Sequence, residues 1–232
     1  MKKEINHTHL ASSVIWWLNY ISAVGRDYII NESSIKYPVA EYLEKSICEK
    51  DKIKLEFNHP FLYKRSLDLF YEKDGTKTAF EFKYIKNGST TKPSEKQRVF
   101  NDLLRLHYFL ENGGDKAYFL ICGKKDEFKH SFMEIPIPDD KSKPISTKTF
   151  SKFYQHWLDF EDDKTEKEID IKNPHSDYEG NCDKFYKFYK PKKGKVLNKV
   201  DCIKTKLVFL SQELVDSKIP ENLRIGIWEI VI

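Results

Sequence analysis

The stretch Arg65-Ser-Leu-Asp-Leu-Phe-Tyr-Glu-Lys-Asp-Gly-Thr-Lys-Thr-Ala-Phe-Glu-Phe-Lys-Tyr84 decides how this chain is read. Two aromatic and apolar runs flank Asp74-Gly75, the dipeptide that most strongly marks a two-residue hairpin turn. With these residues at the centre of the turn, Leu69 faces Phe80, Asp68 faces Glu81 and Leu67 faces Phe82. Side chains alternate along a strand, so Leu67, Leu69, Phe80 and Phe82 are expected on one face. Asp68, Glu81 and Lys83 are expected on the other. Directly opposed residues have Cβ atoms about 4.5–5.5 Å apart, and like charges there destabilise the pair. A divalent cation between the two carboxylates would turn that repulsion into binding. Hard oxygen ligands suit Mg²⁺, with Mn²⁺ as an alternative, at sites shared with substrate phosphates. Lys83 would orient or help deprotonate a water, or stabilise charge building on a phosphate. The constellation points to metal-assisted phosphodiester hydrolysis. Its bland counterpart is a solvated sheet face on which Asp68 and Lys83 form an exposed ion pair of little energetic weight.

The flanking segments read as α-β-β-β-α-β. Residues 32–48 have helical periodicity, with Ile35, Val39, Tyr42, Leu43 and Ile47 on one face and Asn31 as N-cap. Pro38 inside that pattern predicts a kink or a later start. Lys52 to Phe57 reads as a strand, followed by the hairpin, a polar loop at 86–96 and a helix from about Ser94 to Glu111. Val99, Leu103, Leu106 and Leu110 form its buried stripe, and Asn112-Gly113-Gly114 closes it. Ala117 to Cys122 is a short apolar run suited to a buried strand.

Asp68, a hairpin and then Glu81-x-Lys83 resemble the signature of the PD-(D/E)xK, or restriction-endonuclease-like, nuclease superfamily. The resemblance covers about residues 30–125, and Leu67 stands where the eponymous proline would be. It implies an α/β fold with a restriction-endonuclease-like αβββαβ core on a central mixed sheet. It further implies that Asp68 and Glu81 hold a metal, with the Phe82 carbonyl as third ligand, and that Lys83 is the catalytic lysine. An upstream acid usually completes such sites. At about 100° per residue, Glu32 lies on the face of Ile35, Val39 and Leu43, whereas Glu41 and Glu44 point away. One branch of the superfamily is similar in carrying its first acid there. Glu32 also has a simpler role open to it, complementing the helix N-terminus. Glu56 could face either way. In related nucleases the helix after the hairpin supplies polar or basic groups near the scissile phosphate, which nominates Gln97 and Arg105. His107 reads as a histidine at the edge of the core.

The 232 residues are read as one domain, with a core at about 30–125 and a C-terminal α+β extension at about 126–232. An amphipathic N-terminal helix around Leu10–Val24 is expected to pack on the core. It is too short and polar to span a bilayer, and Trp16 and Trp17 would suit a partner subunit. Symmetric cutting of both strands would likewise favour a homodimer. Four cysteines without metal-ligand spacing read as reduced thiols of a cytoplasmic protein. One third of the chain is charged, yet the net charge is only +4, so nucleic-acid binding needs a local basic surface. Residues 183–195 interleave rings with lysines, nominating Lys187 and Lys190 as contacts to nucleic acid. The same stretch also reads as a β-rich element with buried rings and snorkelling lysines. Phe150–Phe160 suggests a helix and 161–168 a solvated helix end or loop, while Leu207–Leu210 and Arg224–Ile232 read as strands. The expected function is a Mg²⁺-dependent nuclease acting on nucleic acid, DNA in the first instance. The alternative is a catalytically silent nucleic-acid- or protein-binding domain on the same fold.

Overall fold

The computed structural model describes residues 4–47, 49, 52–85, 93–124, 166–170, 178–211 and 223–232. Helix α1 (His7–Ala23) starts where the Asn6 side chain accepts the His9 N–H at 3.0 Å, and it buries Leu10, Val14, Leu18 and Ile21. Helix α2 (Glu32–Ser46) starts with a capping box. Asn31 accepts the Ser33 N–H at 2.8 Å, and the Ser34 hydroxyl accepts the Asn31 N–H at 3.2 Å. The helix begins at its cap and runs through Pro38, contrary to a later start. Reciprocal capping and burial of Ile35, Val39 and Leu43 outweigh the hydrogen bond that proline removes.

Strands β1 (Ile53–Asn58), β2 (Ser66–Lys73) and β3 (Thr76–Ile85) follow, then helix α3 (Pro93–Glu111) and strand β4 (Lys116–Lys124). The order matches the α-β-β-β-α-β reading. Asp74 and Gly75 both have positive φ (51° and 78°), the geometry that makes an Asp-Gly hairpin turn compatible with strand twist. Helix α3 ends as expected. Gly113 takes φ of 93°, and the Gly114 and Gly113 N–H groups donate to the Phe109 and Leu110 carbonyls. The α3 crossover makes β3 and β4 parallel, whereas β1, β2 and β3 pair antiparallel.

The C-terminal segments extend this sheet. Strand β7 (Leu223–Val231) pairs antiparallel with β4, followed by β6 (Cys202–Leu210) and β5 (Glu166–Asp170) at the far edge. Among the described residues the sheet has seven strands in the order β1-β2-β3-β4-β7-β6-β5. Two sequence expectations need correction. Part of the 161–168 segment, read as solvated helix end or loop, enters strand β5, where Glu166 and Glu168 stand opposite Lys206 and Lys204. Residues 183–195 do not form a β-rich element. Their first part continues helix α4 (Tyr178–Phe188), since Cys182, Phe185 and Tyr189 recur at helical spacing and all three are buried. The helix suggested for Phe150–Phe160 lies outside the described residues.

Helices cover both faces. Along β4 the alternation is clean: Tyr118, Leu120 and Cys122 join the core under α1 and α2, while Ala117, Phe119 and Ile121 join the core under α3 and α4. Each fully buried Leu, Ile or Phe contributes about 1.5–3 kcal/mol relative to exposure, so this two-sided burial holds the central strands rigidly. Among the described residues no helix is long and apolar enough to cross a membrane.

Candidate active site

The hairpin register is the expected one through Leu69 and Phe80, and then it changes character. At the next position Asp68 does not continue the ladder through its backbone. Its Oδ2 accepts the Phe82 N–H at 2.9 Å, a side chain standing where a strand carbonyl would. Beyond this point β3 runs on beside β4, with Glu81, Phe82 and Lys83 opposite Phe119, Leu120 and Ile121. The parting also changes a face assignment. Leu69, Phe80 and Phe82 share the α1/α2 core as expected, but Leu67 packs into the α3 core. The strict alternation assumed for Leu67 breaks at Asp68, where β3 parts from β2 and the facing residue of β1, Glu56, has left-handed backbone; Leu67 pairs with Phe57 beyond that break.

Six of the residues nominated from sequence, Glu32, Asp68, Glu81, Phe82, Lys83 and Arg105, gather where β2 and β3 part. Lys83, 3 % exposed, places Nζ 2.5 Å from Glu32 Oε1, so the first turn of α2 reaches the end of β3. Glu81 is fully buried and receives both arms of the Arg105 guanidinium, Nε at 2.8 Å and Nη2 at 2.7 Å. The same Nη2 lies 2.8 Å from Asp102 Oδ1, one helical turn earlier on α3. Arg105 was nominated as a phosphate contact; here it clamps a carboxylate.

Two participants were not anticipated. Lys36, buried on α2, pairs with Asp68 Oδ1 at 2.8 Å and with Glu56. It stands four residues after Glu32, so the helical arithmetic that singled out Glu32 would also have found it. Glu56 lies across from Asp68, between the pairs Leu55–Leu69 and Phe57–Leu67, with φ of 49°. That left-handed backbone is uncommon for a non-glycine residue and interrupts β1 beside the site. The second unanticipated participant is Asp102.

The electrostatics follow from burial. Desolvation raises the Glu81 carboxyl well above the ordinary range, and the paired Arg105 draws it back. Desolvation also pushes the Asp102 carboxyl up to about 7 against the pull of Arg105 and Lys83. Lys36 shows the opposite balance: burial alone would lower its amine, but its hydrogen bonds to Asp68 and Glu56 raise it above the usual lysine range.

A buried histidine ties the site to its scaffold. His59 in the Asn-His-Pro turn is fully buried and accepts the Phe61 and Leu62 N–H groups on Nδ1 at 3.1 and 3.0 Å. Its Nε2 therefore carries the proton, which it donates to the Arg105 carbonyl at 2.9 Å. Burial lowers the imidazole from 6.5 to about 4. A depressed base stabilises the fold above its unfolded value and loses that contribution as pH falls through the folded one. Between pH 6.5 and 4 about 3 kcal/mol should disappear. Urea unfolding of the wild type across this range should show the loss, and His59→Gln should lack that one-proton slope.

The other nominated residues have partners of their own. Gln97 donates to Asn101 within α3, and Lys187 lies over the Phe188 ring. Lys190 follows α4, and its carbonyl accepts the Tyr63 N–H. His107 is at the core edge as read, 3.2 Å from Glu111. A surface cleft lined by Glu44, Ile47, Lys52, Glu72 and Lys73 opens at the turn end of β2, opposite Asp68.

Whether this donor set suits a hard divalent cation can be judged from its chemistry. Among the described residues no trio of His, Cys, Asp or Glu side chains is grouped closely enough to hold a metal alone. Asp68 and Glu81 supply two carboxylates. In a strand the N–H and C=O of one residue leave on the same edge, so the Phe82 carbonyl is directed to the Asp68 side like its N–H. Five carboxylates (Glu32, Glu56, Asp68, Glu81, Asp102) meet three cations (Lys36, Lys83, Arg105), leaving two negative charges in excess when all are ionised. The oxygen donors fit Mg²⁺ or Mn²⁺, with Arg105 as the competitor for Glu81. Compared with family models, curated proteins and solved structures, the chain matches none.

Proposed function

We propose that this protein is a metal-dependent nuclease on a restriction-endonuclease-like core, hydrolysing phosphodiester bonds in nucleic acid, with DNA the expected substrate. The observation that carries the reading is the gathering of Glu32, Asp68, Glu81 and Lys83, from three separate elements, at the parting of β2 and β3. Asp68, Glu81 and the Phe82 carbonyl would hold Mg²⁺ or Mn²⁺, and the ion would supply Lewis-acid chemistry. Lys83 is held by Glu32 with its ammonium fixed in a nearly water-free setting, where a positive charge stabilises developing negative charge most effectively. Lys36 pairs with Asp68 Oδ1 and orients that carboxylate. The test is cleavage of plasmid, linear duplex, single-stranded DNA and RNA with Mg²⁺ or Mn²⁺ and with chelator. Cutting that needs the metal and stops with chelator supports the reading; no cutting of any substrate with either metal sinks it.

A second reading, a silent binding domain, draws on one feature: both Glu81 oxygens are taken by Arg105 and Asp68 Oδ1 by Lys36. Metal titration separates the two. If the site takes Mn²⁺, a concentration of one hundred times Kd should stabilise the fold by about 2.7 kcal/mol, visible as a rise in Tm. An unchanged Tm up to millimolar Mn²⁺ favours the silent domain.

A further inference from the structure

We propose that the β1–β2 loop and the segment after α4 together form a track for single-stranded nucleic acid. The choice of nucleic acid as ligand rests on the proposed function; the track itself rests on separate observations. Residues 184–199 contain seven lysines and no acid, in a chain whose overall excess is only four positive charges. The fold joins this segment to the loop as a short ribbon. Leu62 bridges Pro191, the Tyr63 N–H donates to the Lys190 carbonyl at 2.9 Å, and the Lys192 N–H donates to the Phe61 carbonyl at 2.8 Å. Arg65 closes it, stacking 4.2 Å from the Tyr189 ring centre and donating to the Phe188 carbonyl at 3.3 Å. The surface is therefore preformed.

Its chemistry alternates rings and charges. Phe188 is 63 % exposed and Tyr63 54 % exposed, each with a lysine over its ring, Lys187 at 5.8 Å and Lys64 at 5.3 Å. Phe185 and Tyr189 of the same segment are buried, so the fold sorts its rings and leaves Phe188 outward. Among the described residues the carboxylate partner recorded here is Asp183, 3.2 Å from Lys199; Lys187, Lys190 and Lys193 have none. Exposed rings between unneutralised lysines are what a nucleic-acid strand with free base faces needs: cations for phosphates and planes for stacking. A duplex hides those faces and would use the lysines alone. The track also leads to the candidate site. Arg65 precedes Asp68 by three residues, about 10 Å along an extended strand.

The test is binding of labelled oligothymidylate, the matching single-stranded RNA, a blunt DNA duplex and anionic phospholipid vesicles, all in chelator. Wild type should bind the single strands more tightly than the duplex, and the two single-strand arms show whether deoxyribose or ribose is preferred. Phe188→Ala should weaken single-strand binding about 10-fold, within the range for loss of one stacked base. Lys187→Glu/Lys190→Glu should weaken it further and flatten the dependence of log Kd on log salt by about 1.4, two phosphates' share. Trp16→Ala, exposed on α1 against the other core, should change nothing. Binding untouched by Phe188→Ala, or vesicles bound as tightly as single strands, overturns the track and leaves a generic polyanion surface. The two proposals fail separately. Tight single-strand binding with no cleavage under any metal defeats the nuclease alone; metal-dependent cleavage indifferent to these substitutions defeats the track alone.

Discussion

Lys83→Met should reduce metal-dependent cleavage about 10²–10³-fold in kcat and leave KM nearly unchanged. The magnitude is that for removal of one preorganised donor aimed at developing charge. Methionine keeps the long apolar stem of a side chain that is 3 % exposed, so packing around β3 is largely conserved. The partner left behind, Glu32, has a side chain 45 % exposed and can be hydrated, so the lost ion pair should change stability by less than about 1 kcal/mol. A loss of activity with Tm preserved would assign Lys83 to the chemistry. Cleavage equal to that of the wild type would remove it and require another cationic group at the site.

Arg105→Ala should be among the most destabilising single substitutions in the chain, about 3–5 kcal/mol at neutral pH. Glu81 has no exposed surface, and both of its oxygens depend on this guanidinium, so truncation leaves a buried carboxylate without its partner. Asp102 loses the same partner. The pH dependence distinguishes this cause from simple loss of packing. Without Arg105, burial holds the folded-state carboxyls above their unfolded values. The variant is then least impaired below the unfolded carboxyl range and worsens as pH rises. Urea midpoints should therefore lie closer to wild type at pH 5 than at pH 7. A deficit independent of pH would mean that the guanidinium acts mainly by filling space. Arg105→Lys should be intermediate, because an ammonium keeps the charge without the planar two-armed fit.

The hairpin was legible because its signals are local. Asp74 and Gly75 select the turn, and the turn sets the register that pairs Leu69 with Phe80. The caps of α2 and α3 were legible for the same reason, since Asn31 and Gly113 act on backbone groups within a few residues. Segment 183–195 was harder. Rings and lysines suit a strand and a helix about equally, and the burial of Phe185 and Tyr189 under α3 decided between them. Leu67 lies on the other face because the regular pairing breaks at Asp68, opposite the left-handed backbone of Glu56, and strict alternation holds only along a regular strand.

By itself the sequence determined the hairpin, the order of elements up to β4 and the candidates Glu32, Asp68, Glu81 and Lys83, because turn chemistry, capping and periodicity act over short distances. Only the tertiary structure decided the ion pairing. It gave Lys83 to Glu32, fifty-one residues away, Lys36 to Asp68, and Arg105 to Glu81. Such pairing depends on where α2 and α3 dock on the sheet and on which carboxylates lose their water there. No local pattern encodes that, since the energy of a charge is set by everything folded around it.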